Sequence, residues 1–142
     1  MQDCIFCKIA RGEIPSHKIG EDELTVSFLD IAPVNPGHAL VITKNHYASL
    51  TDIPSQELQA LAEHVQRVAR AVVAATGAEG YNVLLNNGAC AGQVVPHAHF
   101  HVIPRKHTDG YRLGWRQGKY AAGEAEALSR GIREAMQARK GK

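Results

Sequence analysis

The chain has 142 residues, with 16 Lys and Arg against 14 Asp and Glu and a formal net charge of +2. That length suits one domain with a core that needs no disulfide staples, and the near-neutral balance excludes the broad basic field that selects polymeric nucleic acid while leaving a small anionic ligand open. No apolar run approaches the roughly 20 residues that cross a bilayer, the N-terminus lacks the pattern of a secretory signal, and three cysteines, an odd number, argue against a disulfide framework, so a cytoplasmic protein with no membrane partner is expected.

Taken along the chain, residues 4–11 predict a short helix or turn stopped by Gly12, and the following "EIPSHKIGEDE" reads as loop or irregular extended chain. "LTVSFLD" (Leu24 to Asp30) and "HALVITK" (His38 to Lys44) predict strands, joined hairpin-fashion through the turn-rich "APVNPG". Leu58, Leu61, Val65, Val68 and Val72 recur at three- and four-residue spacing and predict a helix from about Ser55 to Thr76, with Asp52 or Ser55 as its cap, Pro54 near its first turn and Gly77 as a left-handed stop. "YNVLLNN" predicts another strand, "NGACAGQ" a loop, and "VPHAHFHVIPR", residues 95–105, the returning strand. Past Arg105 the chain loosens until "EAEALSRGIREAMQARK" offers an amphipathic helix with Leu128, Ile132 and Met136 on one side, acidic early and basic late as the helix dipole favours. Runs of strands with one long helix point to an α+β fold with an antiparallel sheet.

The returning strand places His97, His99 and His101 on one face and Ala98, Phe100 and Val102 on the other. A buried imidazole without partners costs about 1–3 kcal/mol, so a core does not collect three without a use. Two uses compete: a zinc site with an open position for water, or a neutral imidazole that attacks phosphorus while its neighbours neutralise the phosphoryl oxygens. His38, Asn86, Gln93 and the glycine N–H groups of "NPGHALVITK" and "NNGACAGQ" favour the second, and the histidine strand offers no nearby carboxylate to brace a metal ligand. The pair Cys4-x-x-Cys7 has the spacing of half a metal site and lacks the preceding strand that a thioredoxin-like motif needs. Cys90 reads as an incidental loop thiol, and His17, His64 and His107 as solvated surface residues.

His97-Ala98-His99-Phe100-His101-Val102-Ile103, accompanied by "CIFCKIARGEIP", "FLDIAPVNPGHALVITKNH" and "NNGACAGQVV", resembles the histidine triad (HIT) superfamily over about residues 3–105, and within it the bacterial zinc-containing, Hint-like branch of nucleotide hydrolases. The resemblance implies a HIT-like α+β fold, with an antiparallel sheet of about five strands, one long helix and a short N-terminal helix, the sheet continuing across a homodimer. It implies a HIT domain over 1–107 and a C-terminal extension over 108–142 whose amphipathic helix packs on, or is exchanged between, HIT domains. It also implies cleavage at the α-phosphate of nucleoside phosphoramidates or related AMP–X compounds, with a purine nucleotide as substrate and no organic cofactor.

By the same resemblance His99 is the nucleophile, His101 bonds the phosphate or leaving group, and His38 and His97 complete the catalytic histidines. Asp30 binds the ribose hydroxyls, Phe6 and Ile31 wall the base, and Asn86 and Gln93 face the phosphate or the departing group. A structural Zn²⁺ is implied on Cys4, Cys7, His46 and His97. Two alternatives stand beside this reading: a diadenosine polyphosphate hydrolase of the same family, and a nucleotide-binding or protein-interaction module with residual hydrolysis whose tail, Trp115 included, docks a partner.

Overall fold

The structure, a computed structural model, describes residues 3–140. Residues 1–2 and 141–142, the outer ends of the two expected regions, lie outside the described residues. In chain order the elements are α1 (Ile5–Ala10), β1 (Lys18–Glu21), β2 (Thr25–Leu29), β3 (Ala39–Thr43), α2 (Ser55–Thr76), β4 (Gly80–Leu84), β5 (His99–Arg105) and α3 (Glu124–Lys140), with short 3₁₀ turns at Leu50–Asp52 and Ala89–Ala91. The five strands form one antiparallel sheet in the order β1-β2-β3-β5-β4. The α+β expectation therefore holds.

β3 lies in the middle of the sheet and all five of its residues are buried, as a strand covered on both faces must be. Its alternation sorts two cores. Ala39 and Val41 face α2 together with Leu61, Val65, Val68, Ala69, Val72, Ala98 and Val102, whereas Leu40 and Ile42 face α1 with Phe6, Ile9, Val26 and Phe28. The apolar stripe expected on α2 is the stripe that packs, each large side chain contributing about 1.5–3 kcal/mol of burial. Gly77 ends the helix in the left-handed conformation, at φ 67°. Gly37, at φ 100°, lies so close to α2 that a Cβ there would stand 2.6 Å from the Thr76 methyl. Only glycine brings this loop against the helix end, and His38 follows it directly.

Several local expectations are corrected. β1 lies in the segment read as irregular; "KIGE" is short and polar, and its extended form depends on pairing with β2 across a bulge between Lys18 and Gly20. The α2 cap position is Pro54, with no side-chain cap; Asp52 instead closes a capping box with Ser49 on the preceding 3₁₀ turn. β4 ends at Leu84, leaving Asn86 and Asn87 in the loop, and β5 begins at His99, leaving His97 in the bend before it. His64 is not a surface residue, being 4% exposed beneath α2.

The described chain divides into two compact units after Tyr111. Near the end of the first, Arg105 donates to Asp109 at 2.7 Å and to Asn82 at 2.8 Å and stacks over Tyr111. The second contains α3, on which Leu128, Ile132 and Met136 are exposed. Among the described residues no helix is long and apolar enough to cross a membrane.

Candidate active site

β5 carries His99 opposite Ile42 and His101 opposite Leu40, so both rings project from the α1 face of the sheet. There they border a cavity of about 420 Å³ whose walls include Phe6, Phe28, Asp30, Ile31, Asn86 and Val94. Phe6, presented by α1, meets the His99 ring edge to face with centroids 5.0 Å apart.

The hydrogen bonds settle which nitrogen of each ring carries the proton. His99 Nδ1 lies 2.7 Å from the His97 carbonyl, which only accepts, so Nδ1 is protonated and Nε2 holds the lone pair. His38 Nδ1 accepts from the Val34 N–H at 3.0 Å, so its proton is on Nε2 and is donated to His101 Nδ1 at 2.9 Å. The His101 proton is then on Nε2, which has no protein partner among the described residues. Burial first, and the neighbouring His99 and His38 second, push His101 down to about 4. His99 and His38 are likewise lowered, chiefly by burial, while Asp30 acts in the raising direction on all three. At neutral pH the cluster thus holds neutral rings, with one free lone pair on His99 and one free N–H on His101.

Asp30, at the end of β2, accepts from the Ala32 N–H at 2.9 Å and sets its other oxygen 3.5 Å from His38 Nε2. The expectation that the histidine strand has no nearby carboxylate is corrected: a different strand delivers one. Asp30, His38 and His101 converge closely enough to suggest a metal group. The Val34 N–H bond nevertheless keeps the His38 proton on the nitrogen that faces the other two, so His38 and His101 are hydrogen-bonded to one another with the Asp30 carboxylate beside them.

Gln93 also differs from expectation. Its amide oxygen accepts from the Gly88 N–H at 2.7 Å and its amide nitrogen donates to the Ala48 and Val95 carbonyls at 2.7 and 3.1 Å, so it braces the 86–95 loop. Asn86 borders the cavity with no side-chain hydrogen bond among the described residues. Ile31 borders it too but is 92% exposed, and therefore stands at the rim.

A second cluster lies on the other side of His97. Cys4, Cys7, His46 and His97 hold their ligand atoms within 4.8 Å of one another. His97 Nδ1 is 3.5 Å from both sulfurs and His46 Nδ1 is 3.4 Å from Cys7 Sγ. Tetrahedral zinc with two thiolates and two imidazoles separates its sulfur and nitrogen ligands by about 3.5 Å, so the donor set fits. His97 Nε2 donates to the Thr43 carbonyl at 2.9 Å, which leaves Nδ1 with its lone pair toward the cysteines. Burial and the adjacent Cys4 push the Cys7 thiol up, an unfavourable arrangement for two thiolates without a cation between them.

A family model for the HIT domain matches residues 11–108. The chain belongs to the HIT family. Cys4 and Cys7 precede the matched residues. This HIT protein is 47% identical over 107 residues to adenylylsulfatase HINT3 of Arabidopsis thaliana, a match covering 75% of this chain and 54% of that protein. It is 42% identical over 130 residues to adenosine 5'-monophosphoramidase hnt1 of Schizosaccharomyces pombe, covering 91% and 95%. The chain thus spans about half the length of the plant relative and nearly all of the yeast one. Among solved structures, a protein of Streptococcus mutans matches with TM-score 0.90 and 38% identity, over 96% of this chain and 87% of that one. A zinc-bound histidine triad family protein of Mycobacterium smegmatis matches with TM-score 0.73 and 36% identity, over 96% and 98%.

Proposed function

We propose that this HIT protein is a hydrolase of AMP–X compounds, nucleoside phosphoramidates among them, and that it acts through a covalent nucleotidyl-His99 intermediate. The observation that carries the reading is the Nε2 lone pair of His99, unpartnered among the described residues and held at a cavity wall beside the His101 N–H. The names of the relatives, a monophosphoramidase and an adenylylsulfatase, support the substrate class.

In the first step the His99 Nε2 lone pair forms a bond to the α-phosphorus while the bond from phosphorus to X breaks and its electron pair leaves with X. His101 donates its Nε2–H to a phosphoryl oxygen, where charge accumulates, and His38 keeps His101 in the tautomer that can do so. In the second step water attacks the phosphorus as the bond from phosphorus to His99 Nε2 breaks; the proton that water gives up balances the one X takes up from solvent as it departs, and the monophosphate and neutral His99 are released. Two inversions give net retention. Asp30 binds the ribose hydroxyls with the oxygen edge that faces the cavity, Phe6 walls a purine base with Ile31 at the rim, and Asn86 donates to the phosphate or to X.

A Zn²⁺ on Cys4, Cys7, His46 and His97 would complete a closed tetrahedral set with no position for an activating water, so its role is structural. Thiolate ligation agrees with a reducing, cytoplasmic setting. A homodimer is part of the proposal: Tyr81 and Val83, on edge strand β4, are 51% and 41% exposed, and their register with Pro104 and Val102 puts them on the α2 side of the sheet. The HIT domain is taken as residues 1–107 and the remainder as an extension with its own helix.

The test is release of AMP from adenosine phosphoramidate and from diadenosine tetraphosphate, side by side, for the wild type and His99→Ala, with acid-quenched wild type searched for a nucleotidyl group on the peptide containing His99. Turnover of the phosphoramidate with the adduct present and the variant inactive is expected. Turnover without any adduct, retained by the variant, would overturn the mechanism.

A further inference from the structure

The metal cluster and the nucleophile share two connections. His97 faces both ways: its ring nitrogen Nδ1 points at Cys4 and Cys7, while its backbone carbonyl receives the Nδ1 proton of His99 at 2.7 Å. That bond fixes which nitrogen of His99 carries the lone pair. Phe6 is the second connection, because it lies between the two cysteines in the first turn of α1 and also contacts the rings of His99 at 5.0 Å and Phe28 at 5.5 Å. Its backbone is held at the metal end and its ring walls the cavity.

We propose that zinc occupancy of Cys4, Cys7, His46 and His97 and nucleotide occupancy of the cavity are thermodynamically coupled, each raising the affinity for the other by way of the His97 carbonyl and Phe6. Zinc draws the Cys4–Cys7 turn and the His97 ring together, which sets both Phe6 and the carbonyl that orients His99. A nucleotide packed on Phe6 and bonded to His99 stabilises that same arrangement. Because the coupling is between binding free energies, the two factors are equal. The metal then acts as a gate on substrate binding without touching phosphorus. This inference rests on the proposed nucleotide site but not on hydrolysis.

The experiment uses AMP as the probe and measures zinc affinity by equilibrium competition with a chromogenic chelator, with and without saturating AMP, in the wild type, Phe6→Ala and His99→Ala. AMP affinity is measured by calorimetry on the zinc-loaded and zinc-stripped wild type. About a tenfold tightening of zinc by AMP is expected, with an equal tightening of AMP by zinc. In Phe6→Ala the factor should fall below about threefold while zinc still binds. His99→Ala, which abolishes turnover under the proposed mechanism, retains the Phe6 connection and should retain part of the coupling, so loss of hydrolysis and loss of coupling are read separately. Zinc affinity unchanged by bound AMP in the wild type, or an undiminished factor in Phe6→Ala, would each overturn the proposal. Failure of the protein to retain zinc would do the same.

Discussion

His64 and His99 are buried to nearly the same degree, 4% and 6% exposed, and in both the ring is held below the usual histidine value chiefly by burial. Their hydrogen bonds differ. Thr25 gives its hydroxyl proton to Asp22 at 2.8 Å and therefore accepts from His64 Nδ1 at 2.6 Å, and Ser27 donates to His64 Nε2 at 2.9 Å. Arg67 closes the outer end on Asp22 at 3.2 Å. Both nitrogens of His64 are engaged and the network is closed. His99 has one nitrogen engaged and one facing a cavity. Burial does not separate a structural histidine from a reactive one; the unpartnered nitrogen at a reachable wall does.

The contrast can be tested at four points. His99→Ala should lower single-turnover AMP release by about 10⁴-fold or more, since the nucleophile is lost, with the unfolding midpoint little changed. His38→Phe retains ring volume but removes the Nε2–H that sets the His101 tautomer; about a hundredfold loss in kcat with KM nearly unchanged is expected from steady-state kinetics. His64→Leu is the converse case. Leaving the Thr25 and Ser27 hydroxyls without the ring should cost about 1–3 kcal/mol in urea unfolding and leave kcat untouched, and a loss of kcat would show that the closed network reaches the site.

The fourth point is the smallest effect. His64 and His101 bind protons more weakly folded than unfolded, so both contribute stability that is full above about pH 6.5, the unfolded value, and lost as pH falls toward the folded value, about 4 for His101. Urea midpoints should decline across that window, and His64→Leu should show a shallower decline because one proton site has been removed from the unfolded chain.

The long helix was legible because its period and its glycine stop are local properties, and the triad because three alternating histidines have few structural uses. His64 was legible in principle: it stands three residues after Leu61 and four before Val68, on the apolar stripe, and only its polar character argued for the surface. β1 was not, since four mostly polar residues take extended form only when β2 supplies partners. Nor was the bracing role of Gln93, whose amide reaches Ala48, 45 residues away in sequence. The family resemblance points Asp30 at the ribose, but its approach to His38 depends on the 30–38 loop folding back through Gly37.

By itself the sequence determined the elements whose signals are short in range: the period of α2, the alternation of β5, the cysteine pair, and the chemical kinds of group available for reaction. The tertiary structure decided the protonation pattern. Which nitrogen of His99 is free depends on the carbonyl of His97, and which nitrogen of His101 is free depends on Val34 acting through His38. An imidazole has two equivalent-looking ends in sequence and becomes a nucleophile at one of them only when a neighbour brought in by the fold occupies the other.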